Sequence, residues 1–273
     1  MGGKSVYTLK NHEGKPDVTR RASLWEALGF PFKEHMVISF TGGGGKTSAM
    51  YSLADELADM GKRVIVTTST HIFYPEDREV VPADQAETVQ NYLKGRKEWH
   101  SDRTGQVLVT GQPVPGGKLK GMAIEEMEKL PCLADVLLVE ADGAKRLPLK
   151  IPKEGEPVLL KSTYGVIGCA GLDAIGCQWE EKCFRWELAE SVFGWKTEKC
   201  LITPAQAAKI LVSSQGTRKG AESMEYRILL NKADNESRLS HGIRIVESLG
   251  EEWTGRCVIT SFLHRRKGSE WKK

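Results

Sequence analysis

The chain has no apolar run near the roughly 20 residues needed to cross a bilayer, so a membrane-embedded protein is not expected. Its start, "MGGKSVYTLKNHEGKPDVTRR", is charged and lacks the apolar centre of a secretory signal. "MGGKSV" fits an N-myristoylation pattern at Gly2 only superficially, and patterns of that length arise often by chance. Cysteine is scarce: six in 273 residues, with no CxxC pair. A chain of this size builds its own core without disulfide staples, so reduced thiols and a cytoplasmic location are expected. Net charge is only +3, with both signs interspersed. That balance calls for neither nucleic acid nor an acidic membrane as partner. There is no internal repeat and no low-complexity linker. With 40% hydrophobic and 27% charged residues, the composition is that of a globular protein.

What is there begins with punctuation and periodicity. "SLWEALGF" reads as a short capped helix stopped at Gly29 and Pro31. "MVISF" is a buried-strand run. From Lys46 the apolar residues Met50, Leu53, Ala54, Leu57 and Met60 recur at helical spacing, Gly61 closes the helix, and "RVIVTT" is the next strand. Strand, glycine-rich turn, helix and strand make one βαβ unit with a right-handed crossover. Further strands are expected at "QVLVTG", "DVLLVEA", "YGVIGCA", "RILLN" and "RCVITS". Helices are expected at "ADQAETVQNYLKG", "MAIEEMEKL", "RWELAESVFG", "TPAQAAKILVSS" and "SRLSHGIRIVESLG". From this alternation an α/β fold is expected, a mostly parallel, doubly wound sheet in three layers, α/β/α, with insertions; the glycine-rich turn "TGGGGKTS" after the first of these strands makes it of P-loop NTPase type. Residues 1–32 read as an N-terminal extension packed on the core, 33–262 as the P-loop domain, and 263–273 as a basic, solvated tail.

The turn in that unit, "TGGGGKTS", carries the chemistry. Glycines Gly42, Gly43, Gly44 and Gly45 free backbone N–H groups to form an anion nest, and the following helix adds its N-terminal dipole. Lys46 stands where a lysine reaches the β- and γ-phosphates, and Thr47 where a hydroxyl ligates Mg²⁺; Ser48 follows. The strict pattern GxxxxGK[ST] wants glycine where this chain has Phe40, so Gly42 is expected to supply the turn at the loop entry. A plain glycine-rich βα turn is the alternative.

Two more segments fit the same site. "DVLLVEADGAK" ends a buried strand on Glu140 and Asp142, carboxylates placed to hold Mg²⁺ and to orient an attacking water. Asp142-Gly143 by itself is a common turn dipeptide. Glu140 is more telling, because a charge closing so apolar a strand needs a partner. "YRILLNKADN" places Asn231, Lys232 and Asp234 after a strand in the manner of the NKxD element of GTPases, whose Asp accepts two N–H bonds from guanine. Alone, the same letters could be a helix cap at Asp234 or Asn235.

With these residues in place, the chain resembles the YqeC family, accessory proteins for selenium-dependent molybdenum hydroxylases. The resemblance rests on "VISFTGGGGKTS", "VIVTTSTHI", "LLVEADGAKRLPLKIPKEGEPVL", "GCAGLDAIG", "FRWE", "ITPAQAAKIL", "GTRKGAE" and "LLNKAD". It spans about Met36 to Thr260, and the segment from Glu140 to Pro157 is its most specific part. More distantly, the arrangement looks like the maturation GTPases for hydrogenase and urease. The resemblance implies a phosphate loop at Gly42 to Ser48, a signature loop at Glu140 to Leu149, and recurring polar positions at His71, Arg185 and Lys219. It also implies a molybdenum hydroxylase or a cofactor-maturation factor as partner.

Three functions are open on the sequence. The first is a slow, Mg²⁺-dependent nucleoside-triphosphatase that uses Lys46, Glu140 and Asp142 and takes GTP or ATP, with GTP favoured. The second is a small-molecule kinase whose acidic acceptor meets Lys145, Arg146 and Lys150. The third is a nucleotide-gated carrier that does not turn over. Cys169, Cys177 and Cys183 fall in one segment that could hold a soft atom, but their spacing matches no metal pattern and buried thiols are the plainer reading.

Overall fold

Seven consecutive buried residues, Met36 to Gly42, form the strand on which the architecture is centred. The structure, a computed structural model, describes residues 4–12, 15–100 and 105–262. The basic segment 263–273 and the Gly2 pattern lie outside the described residues. In chain order, a hairpin of β1 (Ser5–His12) and β2 (Lys15–Arg21) leads through α1 (Leu24–Leu28) to β3 (Met36–Gly42), α2 (Lys46–Asp59) and β4 (Arg63–Thr68). Three-residue strands β5 (His71–Phe73) and β6 (Val80–Pro82) precede α3 (Ala86–Lys94), β7 (Gln106–Val114), β8 (Lys118–Lys120) and α4 (Ile124–Met127). After β9 (Val136–Glu140) come β10 (Leu149–Lys150), β11 (Gly165–Gly171), α5 (Trp179–Lys182), β12 (Cys183–Phe184) and α6 (Ala189–Phe193). The chain continues through α7 (Pro204–Val212), β13 (Glu225–Asn231), α8 (Glu236–Leu249) and α9 (Glu251–Thr254) to β14 (Cys257–Ser261).

The main sheet runs β2-β1-β14-β13-β11-β3-β9-β4-β7-β8-β5, with β6 also on β7. From β14 to β7 every neighbouring pair is parallel. The ends are antiparallel: β1 on β14, and the β7–β8–β5 ribbon on the other side. This is the mostly parallel α/β sheet expected from the alternating pattern. Strand alternation sends neighbouring residues to opposite faces. Ile38 and Phe40 pack with Met50, Leu53 and Leu57 of α2 on one face. Val37 packs with Val89 and Leu93 of α3 on the other, where Ile228 and Leu230 meet the helices after β11.

The chain before β3 is fastened to this core. Glu56 of α2 accepts from Ser23 Oγ and from the Leu24 and Trp25 amides, each at 2.9 Å, and so satisfies the first turn of α1. Lys4 pairs with the same carboxylate.

Because β3, β9, β4, β11 and β13 are parallel, their carboxyl ends open on one edge of the sheet. That edge is where ligands sit in open α/β sheets. Phe40 stands across from Glu140 and Gly42 across from Cys169, which brings the glycine loop, the acidic strand end and the end of β11 together.

Candidate functional site

The loop Gly42–Gly45 joins β3 to α2, and its glycines are required by crowding as well as by backbone shape. Gly42, Gly44 and Gly45 have φ of 87°, 75° and 100°, in the left-handed region. A Cβ on Gly44 would lie 2.0 Å from the Gly171 nitrogen, and one on Gly45 would lie 2.4 Å from Asn231 Nδ2. The turn made by Phe40 in place of a glycine is ordinary strand: Phe40 is fully buried in the core, and the bend comes at Gly42.

The entering amides are held by the protein. Gly42 N–H donates to Asp142 Oδ2 at 3.2 Å, Gly43 N–H to the Cys169 carbonyl at 3.0 Å, and Gly44 N–H to the Leu147 carbonyl at 3.1 Å. Beyond them α2 begins at Lys46 with no side-chain cap on its first turn, and a first turn has amides without intrahelical partners. Ser48 sits exposed on that turn.

Lys46 is buried, 5% exposed, and its ammonium is fully engaged. It donates to the Gly42 carbonyl at 2.5 Å and lies 3.1 Å from Asp142 Oδ1 and 4.0 Å from Glu140 Oε1. Burial alone would lower its pKa, but the Asp142 and Glu140 carboxylates outweigh that and hold it above the ordinary lysine value. Thr47 donates its hydroxyl to Glu140 Oε2 at 2.6 Å. Burial pushes the Glu140 carboxyl up, against the pull of Lys46 and the Thr47 hydrogen bond. Thus two pairs far apart in sequence, Lys46 with Thr47 and Glu140 with Asp142, meet at one point.

The chain beyond the signature loop adds a row of alternating charge behind them. Lys150 is buried and lies 2.9 Å from Asp142 Oδ2 and 2.6 Å from Glu156 Oε2. Arg185 closes the row with two bonds to Glu156, 2.6 and 3.0 Å. Burial works against ionised Glu156, yet the bonds from Arg185 and Lys150 prevail and bring its pKa down to about 2. Lys150 is therefore committed inside the protein and does not face an acceptor; Lys145 and Arg146 are exposed. The sequence reading missed Glu156. A signal existed in Lys150, a charge inside the apolar run "LPLKIP", which needs a partner for the same reason as Glu140.

The three residues of "NKAD" divide their work. Asn231 is buried, donates Nδ2–H to the Gly44 carbonyl at 3.0 Å and accepts at Oδ1 from Lys232 N and Thr260 Oγ1. It clamps the loop. Lys232 pairs with Asp173 at 2.9 Å. Asp234 accepts from Ser261 Oγ at 2.6 Å and from Arg238 at 2.8 Å. The cap of α8 is Asn235, which accepts from Arg238 N. Asp173 and Ser261 were not singled out from the sequence, since neither stands in a recognisable motif.

The remaining expected positions spread out. His71 is exposed on β5, and Lys219 donates to the Lys153 carbonyl at 3.0 Å. Cys169 and Cys183 are buried with thiol pKa values pushed up by burial, while Cys177 is half-buried and donates to the Asp173 carbonyl. Among the described residues no group of three or more His, Cys, Asp or Glu is arranged to hold a metal. No helix among them is long and apolar enough to cross a membrane.

Comparison with known proteins covers the glycine loop, the acidic strand end and the charge row, and the family match ends before Asn231, Lys232 and Asp234. The family model described as YqeC protein matches residues 38–187, more than half of the chain, from β3 through the loop that carries Arg185. An Escherichia coli (strain K12) protein, named "Uncharacterized protein YqeC", is 32% identical over 176 residues. That match takes in 59% of this chain and 62% of the relative, so it spans less than two thirds of the relative's length.

Proposed function

The chain belongs to the YqeC family, and from that premise we propose that it is a Mg²⁺-dependent nucleoside-triphosphate-binding protein and slow triphosphatase. One observation carries the reading. A four-glycine loop at a strand's carboxyl end leads into a helix whose first residues, Lys46 and Thr47, meet two buried carboxylates. A plain βα turn has no use for that convergence, since burying so many charges together is costly unless they serve a ligand or each other.

The donor set suits Mg²⁺. Thr47 Oγ1 and Glu140 Oε2 are hard oxygens already 2.6 Å apart, and Mg²⁺ takes one or two protein oxygens with phosphates and waters completing an octahedron. When bound, the ion neutralises charge on the phosphates. Thr47 and Glu140 would hold it. Lys46 moves from the Gly42 carbonyl to the β- and γ-phosphates, joined by the free amides at the start of α2. Asp142 stays fixed by Lys150 and the Gly42 amide, where it orients Lys46 or an attacking water.

Asp234 is the proposed reader of guanine, with GTP favoured over ATP, and its carboxylate exchanges the Arg238 bond for the base. In the family context the turnover serves maturation of selenium-dependent molybdenum hydroxylases, with such a hydroxylase or its maturation factor as partner. Calorimetric titration of Lys46→Ala tests the core of this reading. Binding of Mg-nucleotide is expected to vanish while circular dichroism shows a folded chain; unchanged affinity refutes it.

A further inference from the structure

The sheet path ends at β5, so one row of its backbone N–H and C=O groups has no strand beside it among the described residues. Proteins protect such edges by keeping them short or lining them with lysine. β5 is short, but protection alone does not explain Phe73 and Tyr74, which are 47% and 41% exposed. In the antiparallel register His71 lies across from Lys120 and Phe73 across from Lys118. These four side chains therefore share one face of the ribbon, while Ile72 turns into the core.

A second element converges on this face. The Arg146 guanidinium lies 4.3 Å from the centroid of the Phe73 ring, and the Lys118 ammonium lies 5.5 Å from it. Lys145 and Arg146 are both exposed and both left-handed, with φ of 47° and 65°. Two consecutive non-glycine residues in that region cost about 1 kcal/mol or more each. The backbone is bent at that cost beside an open sheet edge: Arg146 covers Phe73 there, while the neighbouring Lys145 ammonium, on the exposed side, lies 5.2 Å from the Phe184 ring centroid. The next residue, Leu147, accepts the Gly44 amide at 3.1 Å. Whatever docks on Arg146 is thus one residue from the phosphate loop.

We propose that β5, β8, Lys145 and Arg146 form a docking edge for an extended acidic segment of a partner protein, which adds as a strand to β5. The open backbone row supplies the main-chain bonds of strand addition. Lys118, Lys120, Lys145 and Arg146 supply charge complementarity, and Phe73 with Tyr74 supplies the exposed aromatic anchors common at interfaces. Nucleic acid is the less suited polyanion. Three residues of strand span only about 10 Å, too short a track for a run of phosphates, and the chain's net charge is only +3.

The test uses the full chain and a fluorescein-labelled peptide of about twelve residues alternating Glu with Val or Tyr. Controls are its Lys-for-Glu counterpart and an oligouridylate of similar length. Fluorescence anisotropy is expected to show binding of the acidic peptide, weakened at least about tenfold in Lys120→Glu/Lys145→Glu/Arg146→Glu. Hydrogen exchange is expected to slow at the amides of His71 and Phe73 when the peptide is added, since the Tyr74 amide already donates to the Gly117 carbonyl on the β8 side. Binding and protection are also expected in Lys46→Ala, so this surface fails or stands apart from the nucleotide reading. Absence of binding, equal binding by the triple variant, unprotected His71 and Phe73 amides or tighter binding of the oligouridylate overturns the proposal.

Discussion

Glu156→Gln tests whether the buried charge row works as an electrostatic unit. Glu156 bridges Lys150 and Arg185, and its pKa falls from an ordinary 4.5 to about 2. A folded-state value below the unfolded one contributes stability that is present above the unfolded pKa and lost as pH falls towards the folded one. The contribution is about 3 kcal/mol at pH 7, at about 1.36 kcal/mol per pKa unit, and it shrinks to about 1.5 kcal/mol at pH 3. Gln keeps the shape and removes the charge, which leaves Lys150 with Asp142 alone and Arg185 without its carboxylate. Urea unfolding at pH 7 is expected to show a loss of about 3 kcal/mol, or a Tm lower by roughly 6–12 °C. At pH 3 the gap between wild type and variant is expected to close by about half. A gap of the same size at both pH values refutes the reasoning, because a purely steric defect does not titrate.

Four further outcomes are expected of the site. Thr47→Ala is expected to weaken Mg-nucleotide binding by about tenfold or more while binding without metal changes little; equal losses, measured by calorimetry with and without Mg²⁺, remove Thr47 from the metal shell. Wild type is expected to bind GTP about tenfold or more tighter than ATP, since a carboxylate left unpaired against adenine costs about 1–3 kcal/mol. Asp234→Asn is expected to erase that preference and spare the phosphate contacts; equal competition by the two nucleotides in wild type ends the guanine assignment. Gly44→Ala places a methyl 2.0 Å from the Gly171 nitrogen at a φ of 75°, and a loss of about 2–4 kcal/mol in thermal or urea unfolding is expected. A variant as stable as wild type shows that the loop gives way more readily than its packing implies.

The parallel strands were legible because each is a run such as "DVLLVEA" or "RILLN", buried on both faces and therefore apolar throughout. The hairpin of β1 and β2 was not read as strands. "SVYTLKNH" and "KPDVTRR" are mixed in polarity, and their pairing is set by the edge of β14. The same holds for β5, β8, β10 and β12, two or three residues each, which exist because a neighbouring strand is there to pair. "RWELAESVFG" was read as one helix but is a 3₁₀ turn at Trp186–Leu188 followed by α6, after the left-handed Arg185. Among the candidate residues, those with a chemical motif were singled out before any geometry: the glycines, Lys46, Thr47, Glu140, Asp142 and "NKAD". Residues whose role is to answer another charge were not. Glu156 answers Lys150, Asp173 answers Lys232, and Ser261 answers Asp234, and only the fold pairs them.

The charge row has a consequence for the speed of ligand capture. Its formal charges cancel, Lys46, Lys150 and Arg185 against Glu140, Asp142 and Glu156. A buried set that sums to zero exerts little pull on an anion approaching through water. The long-range attraction then falls to exposed cations beside the loop, Lys145 and Arg146, whose field salt screens. Association and retention are in this way assigned to different residues. On the proposed nucleotide reading, raising ionic strength, or reversing the charge at Lys145 and Arg146, is expected to slow the rate at which a triphosphate arrives and to leave its residence time, assigned to Lys46 and the start of α2, nearly as it was.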